Sequence, residues 1–260
     1  MPSSPPVLEV EKLSVRFGGV QAVSQLTFAV DEGELVSLIG PNGAGKTTAF
    51  NAISGFLRPS SGRVTYRGQL LTGLKPYQIA SLGIVRTFQR TSLFEESSVL
   101  QNVLIGLHHQ TRYKTWQSLL ALPRVRHEES ELRTKAQEIV DFVGLGSRVS
   151  DLAGTLAFGE QRLLGVALAL AAKPQVMMLD EPVSGMNPTE KINFMEMLRK
   201  IRQRVSSIVL VEHDMRTVMN VSDRVVVLNF GSVVASGTPS EIQQSPEVIR
   251  VYLGRGSRVA

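Results

Sequence analysis

The chain has 260 residues, of which 43% are hydrophobic, so it is long enough to bury a full core as one large domain or two joined lobes. It contains no cysteine, which excludes disulfide bridges and thiolate metal sites and is compatible with a reducing compartment. The formal net charge is +5, but the charged residues are scattered, and no basic stripe interleaved with aromatics favours a nucleic-acid partner.

The first part of the chain, from residue 7 to about residue 67, has the pattern of a β-rich region. Apolar and polar residues alternate there, and turn signals such as Gly18-Gly19 separate the segments. Leu35 to Ile39 is a continuous apolar run that predicts a buried strand. Residues 47–53 can form a helix directly after a glycine-rich loop.

This loop fits the pattern G-x-x-x-x-G-K-[ST], in which backbone N–H groups bind phosphate oxygens. Lys46 can reach the β- and γ-phosphates of a nucleoside triphosphate, and the Thr47 hydroxyl can bind Mg²⁺. A turn that merely links strand and helix is the alternative, but strand, loop and anion-favouring helix N-terminus together indicate phosphate binding. The predicted phosphate-binding residues are Gly40, Pro41, Asn42, Gly43, Ala44, Gly45, Lys46, Thr47 and Thr48.

From about residue 97 to residue 172 the pattern becomes helical and ends in an apolar run at 163–172. This run is shorter than the roughly 20 residues of a membrane span, and no secretory signal is visible, so we expect a soluble, cytoplasmic chain. Strands then alternate with helices, which predicts a largely parallel sheet with a helical lobe inserted between two halves of an α/β core. Strands are predicted at 84–88, 176–179, 208–211 and 225–228, with helices at 188–204 and 214–221, and the pattern at 106–127 is irregular.

Polar residues follow three of the predicted core strands. Ligands collect at the carboxyl ends of parallel strands, so Asp180 is placed to bind Mg²⁺ and Glu181 to polarise the attacking water. His213 can donate a hydrogen bond to the γ-phosphate, and Gln89 is the polar residue that we place near the metal and the water. Each of these residues alone could be a solvated polar residue at the end of a strand. Together with the phosphate loop, they indicate a nucleotide-binding site.

Two further features bear on the nucleotide. Phe17, at a strand end before Gly18-Gly19, can stack on an adenine ring, although a core aromatic fits the periodicity nearly as well. Residues 156–162 join a loop to the helical run and make a second helix N-terminus suited to anions. This second half-site predicts a dimer in which each chain supplies both ends of a shared nucleotide site.

In their order along the chain, these motifs resemble the nucleotide-binding subunit of an ABC transporter. The resemblance implies an α/β fold: a P-loop NTPase, ABC-type nucleotide-binding domain with a β-rich N-terminal subdomain and an inserted helical lobe. It implies one domain at 7–253, with a RecA-like core at about 7–90 and 174–236, a helical subdomain at about 91–173, and a C-terminal tail at 237–260. Segments at 85–89, 99–103, 156–159, 185–190 and 246–254 resemble more closely the ATPases of branched-chain amino-acid importers.

The resemblance also implies roles for the matching residues, with ATP and Mg²⁺ as ligands. Glu181 would be the catalytic base and His213 the γ-phosphate switch, assisted by Lys46 and Gln89. Phe17 would stack on adenine, and residues 184–187 would pass between the two ATPase subunits. The metal would be held by Thr47, Gln89 and Asp180, and the signature loop at 156–160 would bring Ala157, Gly159 and Glu160 to the partner's ATP.

The signature loop departs from the usual Leu-Ser-Gly-Gly-Gln of the family. Ala157 replaces the Ser, Phe158 the first Gly, and Glu160 the Gln. Loss of the Ser hydroxyl removes one hydrogen bond to the γ-phosphate, worth roughly 1.5–3 kcal/mol. The two ATP sites of a dimer therefore need not be equally active.

The implied function is ATP hydrolysis that energises an importer, most closely one for branched-chain amino acids. The implied partners are a second ATPase subunit in a homodimer or heterodimer, two integral membrane permease subunits and, indirectly, a substrate-binding protein, with no nucleic acid. The implied location is peripheral, on the cytoplasmic face of the inner (plasma) membrane. Three alternatives remain: an ABC ATPase for urea, amides or lipopolysaccharide, a non-transport ABC protein, and a nucleotide-binding regulator without turnover.

Overall fold

The structure is a computed structural model, and it describes residues 5–87, 93–107 and 123–253. Its contacts divide the chain into two compact units. The first unit comprises the described residues of Met1–Arg86, Gln175–Ser184 and Lys191–Ala260. The second unit comprises those of Thr87–Pro174 and Gly185–Glu190.

The first unit contains an antiparallel sheet of four strands in the order β2-β1-β4-β5. Alternating burial along β1 places Leu8 and Val10 in the core and Glu9 towards the outside. The register shifts between Val10 and Leu13, where Lys12 takes a positive φ of 45°. This bulge explains why the apolar alternation of the sequence is broken at that point. The strands are β1 (Leu8–Phe17), β2 (Val20–Val30), β4 (Ser61–Tyr66) and β5 (Gln69–Leu70).

The first unit also contains a sheet of six strands in the order β10-β9-β3-β8-β7-β6. Every neighbouring pair is parallel except β9 with β10. All residues of β3, β7 and β8 are buried, as expected for strands covered on both faces, so their apolar runs are continuous. The strands are β3 (Leu35–Ile39), β6 (Ile84–Arg86), β7 (Val176–Asp180), β8 (Ser207–Val211), β9 (Arg224–Asn229) and β10 (Ser232–Gly237).

Helices connect and cover these strands. In the first unit Phe50 and Ile53 of α1 are completely buried in the core that both sheets share. The described helices outside the second unit are α1 (Lys46–Ile53), α2 (Pro76–Ser81), α7 (Met215–Val221), α8 (Pro239–Gln244) and α9 (Pro246–Leu253). Helix α6 (Pro188–Ile201) begins in the second unit and continues into the first.

The second unit is helical in its described part. Leu132, Ala136 and Val140 recur at four-residue spacing and form the buried stripe of α4. A Cβ on Gly106 of α3 would lie only 3.1 Å from the Cβ of Ala171 in α5, so the glycine permits close helix packing. The helices are α3 (Val99–Leu107), α4 (Pro123–Phe142) and α5 (Phe158–Ala171), with 3₁₀ turns at Gly146–Arg148 and Ala153–Thr155.

The structure agrees with the predicted α/β class and corrects several boundaries. The strand that we predicted at 84–88 ends at Arg86, and the helix that we predicted at 188–204 ends at Ile201. The segment at 106–127, which the sequence pattern left irregular, is helical in its described parts. The described part of the tail expected at 237–260, which ends at Leu253, forms α8 and α9. Among the described residues, no helix has the length and apolar character that crossing a bilayer requires.

Candidate functional site

The predicted phosphate loop lies between β3 and α1 in the first unit. Gly40, Gly43 and Gly45 take positive φ values of 150°, 82° and 98°, which glycine alone adopts without strain. A Cβ on Gly40 would collide with the carbonyl oxygen of Leu228, and one on Gly45 with that of Ala22. The glycines therefore set the loop's shape and pack it directly against neighbouring strands.

Lys46, the first residue of α1, turns its ammonium group back over this loop. Its Nζ donates hydrogen bonds to the carbonyl oxygens of Gly40 at 2.7 Å and Pro41 at 3.2 Å. Burial lowers the pKa of Lys46, and the nearby acids, Glu181 first, act in the opposite direction. A polyanion at the loop would replace these carbonyl contacts with stronger, charge-assisted ones.

A cavity of about 490 Å³ opens over the phosphate loop. Glu181 lines it together with the exposed hydroxyl-bearing residue Thr47, so the structure brings the predicted base to the predicted phosphate site. Phe17 does not line this cavity, whereas Phe230, 76% exposed, does. The other lining residues are Val20, Gln21, Ala22, Asn42, Gly43, Ala44, Gly45, Lys46 and Thr48.

Asp180, the last residue of β7, is buried and paired with an arginine that the sequence analysis did not single out. Its Oδ2 accepts a hydrogen bond from the guanidinium group of Arg86 at 2.7 Å. The same guanidinium donates to Asn51 Oδ1 at 2.7 Å and to Ser54 Oγ at 2.9 Å, and it lies 5.0 Å from the ring centroid of Phe50. Arg86 therefore ties the ends of β6 and β7 to α1.

Glu181 and His213 follow adjacent strands and lie near each other. His213 Nδ1 is 3.9 Å from Glu181 Oε1, and the His213 side chain is 54% exposed. Glu181 takes the left-handed conformation with a φ of 45°, and its N–H donates to the carbonyl oxygen of Val211 at 2.8 Å. A strained non-glycine residue of this kind is often found at functional sites.

The expected metal ligands offer hard oxygen donors. Asp180 contributes a carboxylate and Thr47 a hydroxyl, a donor set that suits Mg²⁺. Within the described residues no group of three or more His, Asp or Glu side chains could hold an ion by itself. The third expected ligand, Gln89, lies outside the described residues.

The signature loop belongs to the second unit, where Ala157 precedes the first turn of α5. Alanine has no side-chain acceptor for an N-terminal N–H, but Glu160 Oε2 accepts from the Ala157 N–H at 2.9 Å. The other oxygen, Oε1, accepts from Arg148 Nε at 3.2 Å. Gly159 is buried, and a Cβ there would lie 3.3 Å from the Glu190 carboxylate. Contacts inside the second unit thus occupy the Glu160 carboxylate.

The segment at 184–187 leads into α6 with reciprocal capping. The Asn187 side chain accepts from the Glu190 N–H at 3.0 Å, and Glu190 Oε2 accepts from the Asn187 N–H at 2.8 Å. Phe158, 52% exposed, lies beside Gly185 in the second unit and 4.8 Å from the Arg162 guanidinium. The signature loop and this segment are therefore neighbours.

Two family models match the chain. Residues 23–184 match the model described as ABC transporter. Residues 232–257, which contain β10, α8 and α9, match the model described as Branched-chain amino acid ATP-binding cassette transporter.

Curated proteins and solved structures agree with these matches. The chain is 44% identical to the high-affinity branched-chain amino acid transport ATP-binding protein LivG of Salmonella typhimurium, over 96% of this chain and 99% of LivG. It is 41% identical to BraF of Pseudomonas aeruginosa, a protein of the same description, over 96% of this chain and 99% of BraF. The ADP conformation of MJ1267, an ATP-binding cassette of an ABC transporter, superposes with a TM-score of 0.83 at 29% identity, covering 96% and 99% of the two chains. The chain belongs to the ABC transporter family, as one of its ATP-binding subunits.

Proposed function

We propose that this chain is the ATP-hydrolysing subunit of an importer for branched-chain amino acids. The observation that carries the proposal is that Lys46 and Thr47 of the phosphate loop line the same cavity as the carboxylate-bearing Glu181. The substrate class is supported by relatives described as branched-chain amino acid transport proteins, which align with 96% of the chain.

The phosphate loop and its lysine would bind the triphosphate. Backbone N–H groups at the glycines and the N-terminus of α1 contact phosphate oxygens, and Lys46 exchanges its two carbonyl contacts for the β- and γ-phosphates. Binding in a fixed geometry with charge neutralisation accounts for most catalysis of phosphoryl transfer. Phe17, and Phe230 at the cavity, would contact the nucleotide base.

Glu181 would orient the attacking water and accept its proton. His213, whose Nδ1 lies 3.9 Å from the Glu181 carboxylate, would donate a hydrogen bond to the γ-phosphate. Thr47, Asp180 and Gln89 would hold Mg²⁺, which when bound neutralises phosphate charge. Arg86 keeps the buried Asp180 carboxylate in place at the end of β7.

The signature loop would complete a site in a second ATPase subunit, in either a homodimer or a heterodimer. Its helix N-terminus at Phe158 supplies N–H groups, while Ala157 supplies no hydroxyl. The pair would work with two membrane permeases on the cytoplasmic face of the membrane, and a substrate-binding protein would deliver the amino acid.

The decisive experiment compares the purified transporter complex with its Glu181→Gln variant in proteoliposomes. We expect the variant to bind ATP with normal affinity and to lose hydrolysis and leucine uptake together, because only the base is removed. Glu34→Gln, which changes a carboxylate at the opposite end of β3, serves as the control. Unchanged ATP hydrolysis in Glu181→Gln would show that Glu181 is not the catalytic base. Uptake of urea by the wild-type complex, without uptake of leucine, isoleucine or valine, would refute the proposed substrate class.

A further inference from the structure

Glu212 is a completely buried carboxylate that joins two backbone segments of the first unit. Its exposed fraction is 0%. Oε1 accepts a hydrogen bond from the N–H of Val183 at 3.0 Å. Oε2 accepts from the N–H of His213 at 2.9 Å and from that of Asp214 at 3.2 Å. Each oxygen thus holds a different segment.

These two segments carry the expected base and the expected γ-phosphate switch. Val183 lies two positions after Glu181, whose own N–H donates to Val211 at 2.8 Å. The backbone from Glu181 to Val183 is therefore tied to the end of β8 at two points, one through the main chain and one through the Glu212 side chain. His213 is held from the same carboxylate.

Burying the Glu212 carboxylate costs free energy, so its contacts need a physical explanation. Burial raises the pKa of Glu212, and the three N–H donors act against this rise. The chemistry of the contacts demands an acceptor at both oxygens. Glutamine offers one acceptor and would point an N–H group at another N–H, so one of the two segments would lose its anchor.

We propose that Glu212 is a positioning residue for ATP hydrolysis, whose carboxylate holds the Val183 and His213 backbones so that Glu181 lines the cavity with the His213 imidazole 3.9 Å from its carboxylate. The inference rests on the proposed function, because it deepens the role of the same site. Glu212 is completely buried and does not line the cavity over the phosphate loop, so it acts through its neighbours.

The test uses the full transporter complex and the variants Glu212→Gln and Glu212→Asp. We expect kcat for ATP to fall at least tenfold in both, while KM and the affinity for a fluorescent ATP analogue stay within about twofold. Glu212→Asp keeps the charge but is one methylene too short to reach both segments, so it remains informative if the Gln variant does not fold. The control is again Glu34→Gln, whose carboxylate accepts from the Asp31 N–H and pairs with Arg224.

A double-mutant cycle with His213→Ala separates positioning from general stability. Because Glu212 acts through His213 as well as through Glu181, its substitution should reduce kcat by a smaller factor once His213 is absent than it does in the wild type. Two results overturn the proposal: unchanged kcat in both variants, or a loss of kcat that is matched by an equal loss of ATP affinity. A wild-type complex without ATPase activity would instead refute the proposed function itself.

Discussion

At the scale of single residues, the conformation of Glu181 is the feature with the clearest consequence. A left-handed φ costs a non-glycine residue about 1–2 kcal/mol, and the Glu181 φ is 45°. Its N–H bond to Val211 and the anchored Val183 hold this conformation. In this strained conformation Glu181 lines the cavity over the phosphate loop.

The strain predicts that Glu181→Gly is more stable than Glu181→Gln, although both lack turnover. Glycine adopts the left-handed conformation without strain but loses more chain entropy on folding. The free energy of unfolding of Glu181→Gly should therefore exceed that of Glu181→Gln by roughly 0.5–1 kcal/mol. Urea unfolding of the two variants measures this difference. Equal midpoints would show that the backbone at this position is not strained.

Glu212 predicts a characteristic pH dependence of stability. Burial raises its folded-state pKa above 4.5, so its stabilising contribution is complete below pH 4.5 and is lost as the pH rises through the raised pKa. Relative to Glu212→Gln, which does not titrate, the wild type should lose about 1.4 kcal/mol of unfolding free energy for each pH unit between the two pKa values.

Urea unfolding from pH 8 down to below pH 4.5 checks this trend. Glu241 provides a control of opposite sign, because a hydrogen bond from the Thr238 backbone lowers its pKa. The wild type should have a higher free energy of unfolding than Glu241→Gln above pH 4.5, and this difference should shrink as the pH falls through the lowered pKa of Glu241. A flat Glu212 difference across the range contradicts the assignment.

At the scale of elements, the pair formed by Arg86 and Asp180 decides how β6, β7 and α1 are joined. Both side chains are almost inaccessible, at 8% and 1%. We expect Arg86→Ala to lower the free energy of unfolding by about 3–5 kcal/mol, because it leaves a buried carboxylate without its main cation.

The exposed pair of Arg63 with Glu11 supplies the control for this prediction. Their side chains are 62% and 32% exposed, so Arg63→Ala should leave the midpoint of chemical unfolding nearly unchanged. Similar effects of the two substitutions would mean that burial does not govern the Arg86 contribution.

Some elements could be predicted from the sequence and others could not, for physical reasons. Strands β7 and β8 are apolar throughout because both faces are covered, so their runs are unambiguous. The start of α5 is five residues earlier than the apolar run suggested, since Phe158 and Gly159 do not fit a helical pattern. Helices α8 and α9 did carry a signal, with Pro239 and Pro246 at their first positions.

The candidate site, too, could be predicted from the sequence only in part. The phosphate loop, Glu181 and His213 could be proposed from the sequence because motif spacing and strand ends point to them. The Arg86 contact with Asp180 spans 94 positions and belongs to no motif, so only the folded structure discloses it. Phe230 was missed because an exposed aromatic in a turn between two strands resembles a chance surface residue.

At the scale of the whole molecule, the proposed pairing of two subunits links Ala157 to both stability and the partner's site. Ala157→Ser would introduce a hydroxyl that accepts from the N-terminal N–H groups of α5 and can donate to a phosphate. We expect the isolated subunit to gain about 1 kcal/mol in unfolding free energy, a typical value for an N-cap.

The same substitution should tighten ATP binding by the assembled complex. Thermal unfolding of the subunit and ATP titration of the complex measure the two effects separately. Thr155→Ser, a conservative change in the preceding 3₁₀ turn, is the control. A stabilised subunit with unchanged ATP affinity would indicate that this loop does not reach the partner's nucleotide.

The position of β3 between β8 and β9 has a consequence for synthesis of the chain on the ribosome. The strand that leads into the phosphate loop pairs with residues that lie more than 170 positions later, as in Leu35 with Ile208 and Val36 with Arg224. Its last residue, Ile39, belongs to the same buried hydrophobic cluster as Ile242 of α8 and Val248 of α9. The nucleotide-binding loop is therefore translated early but completed last, so a nascent chain cannot bind ATP productively before nearly all of it has emerged.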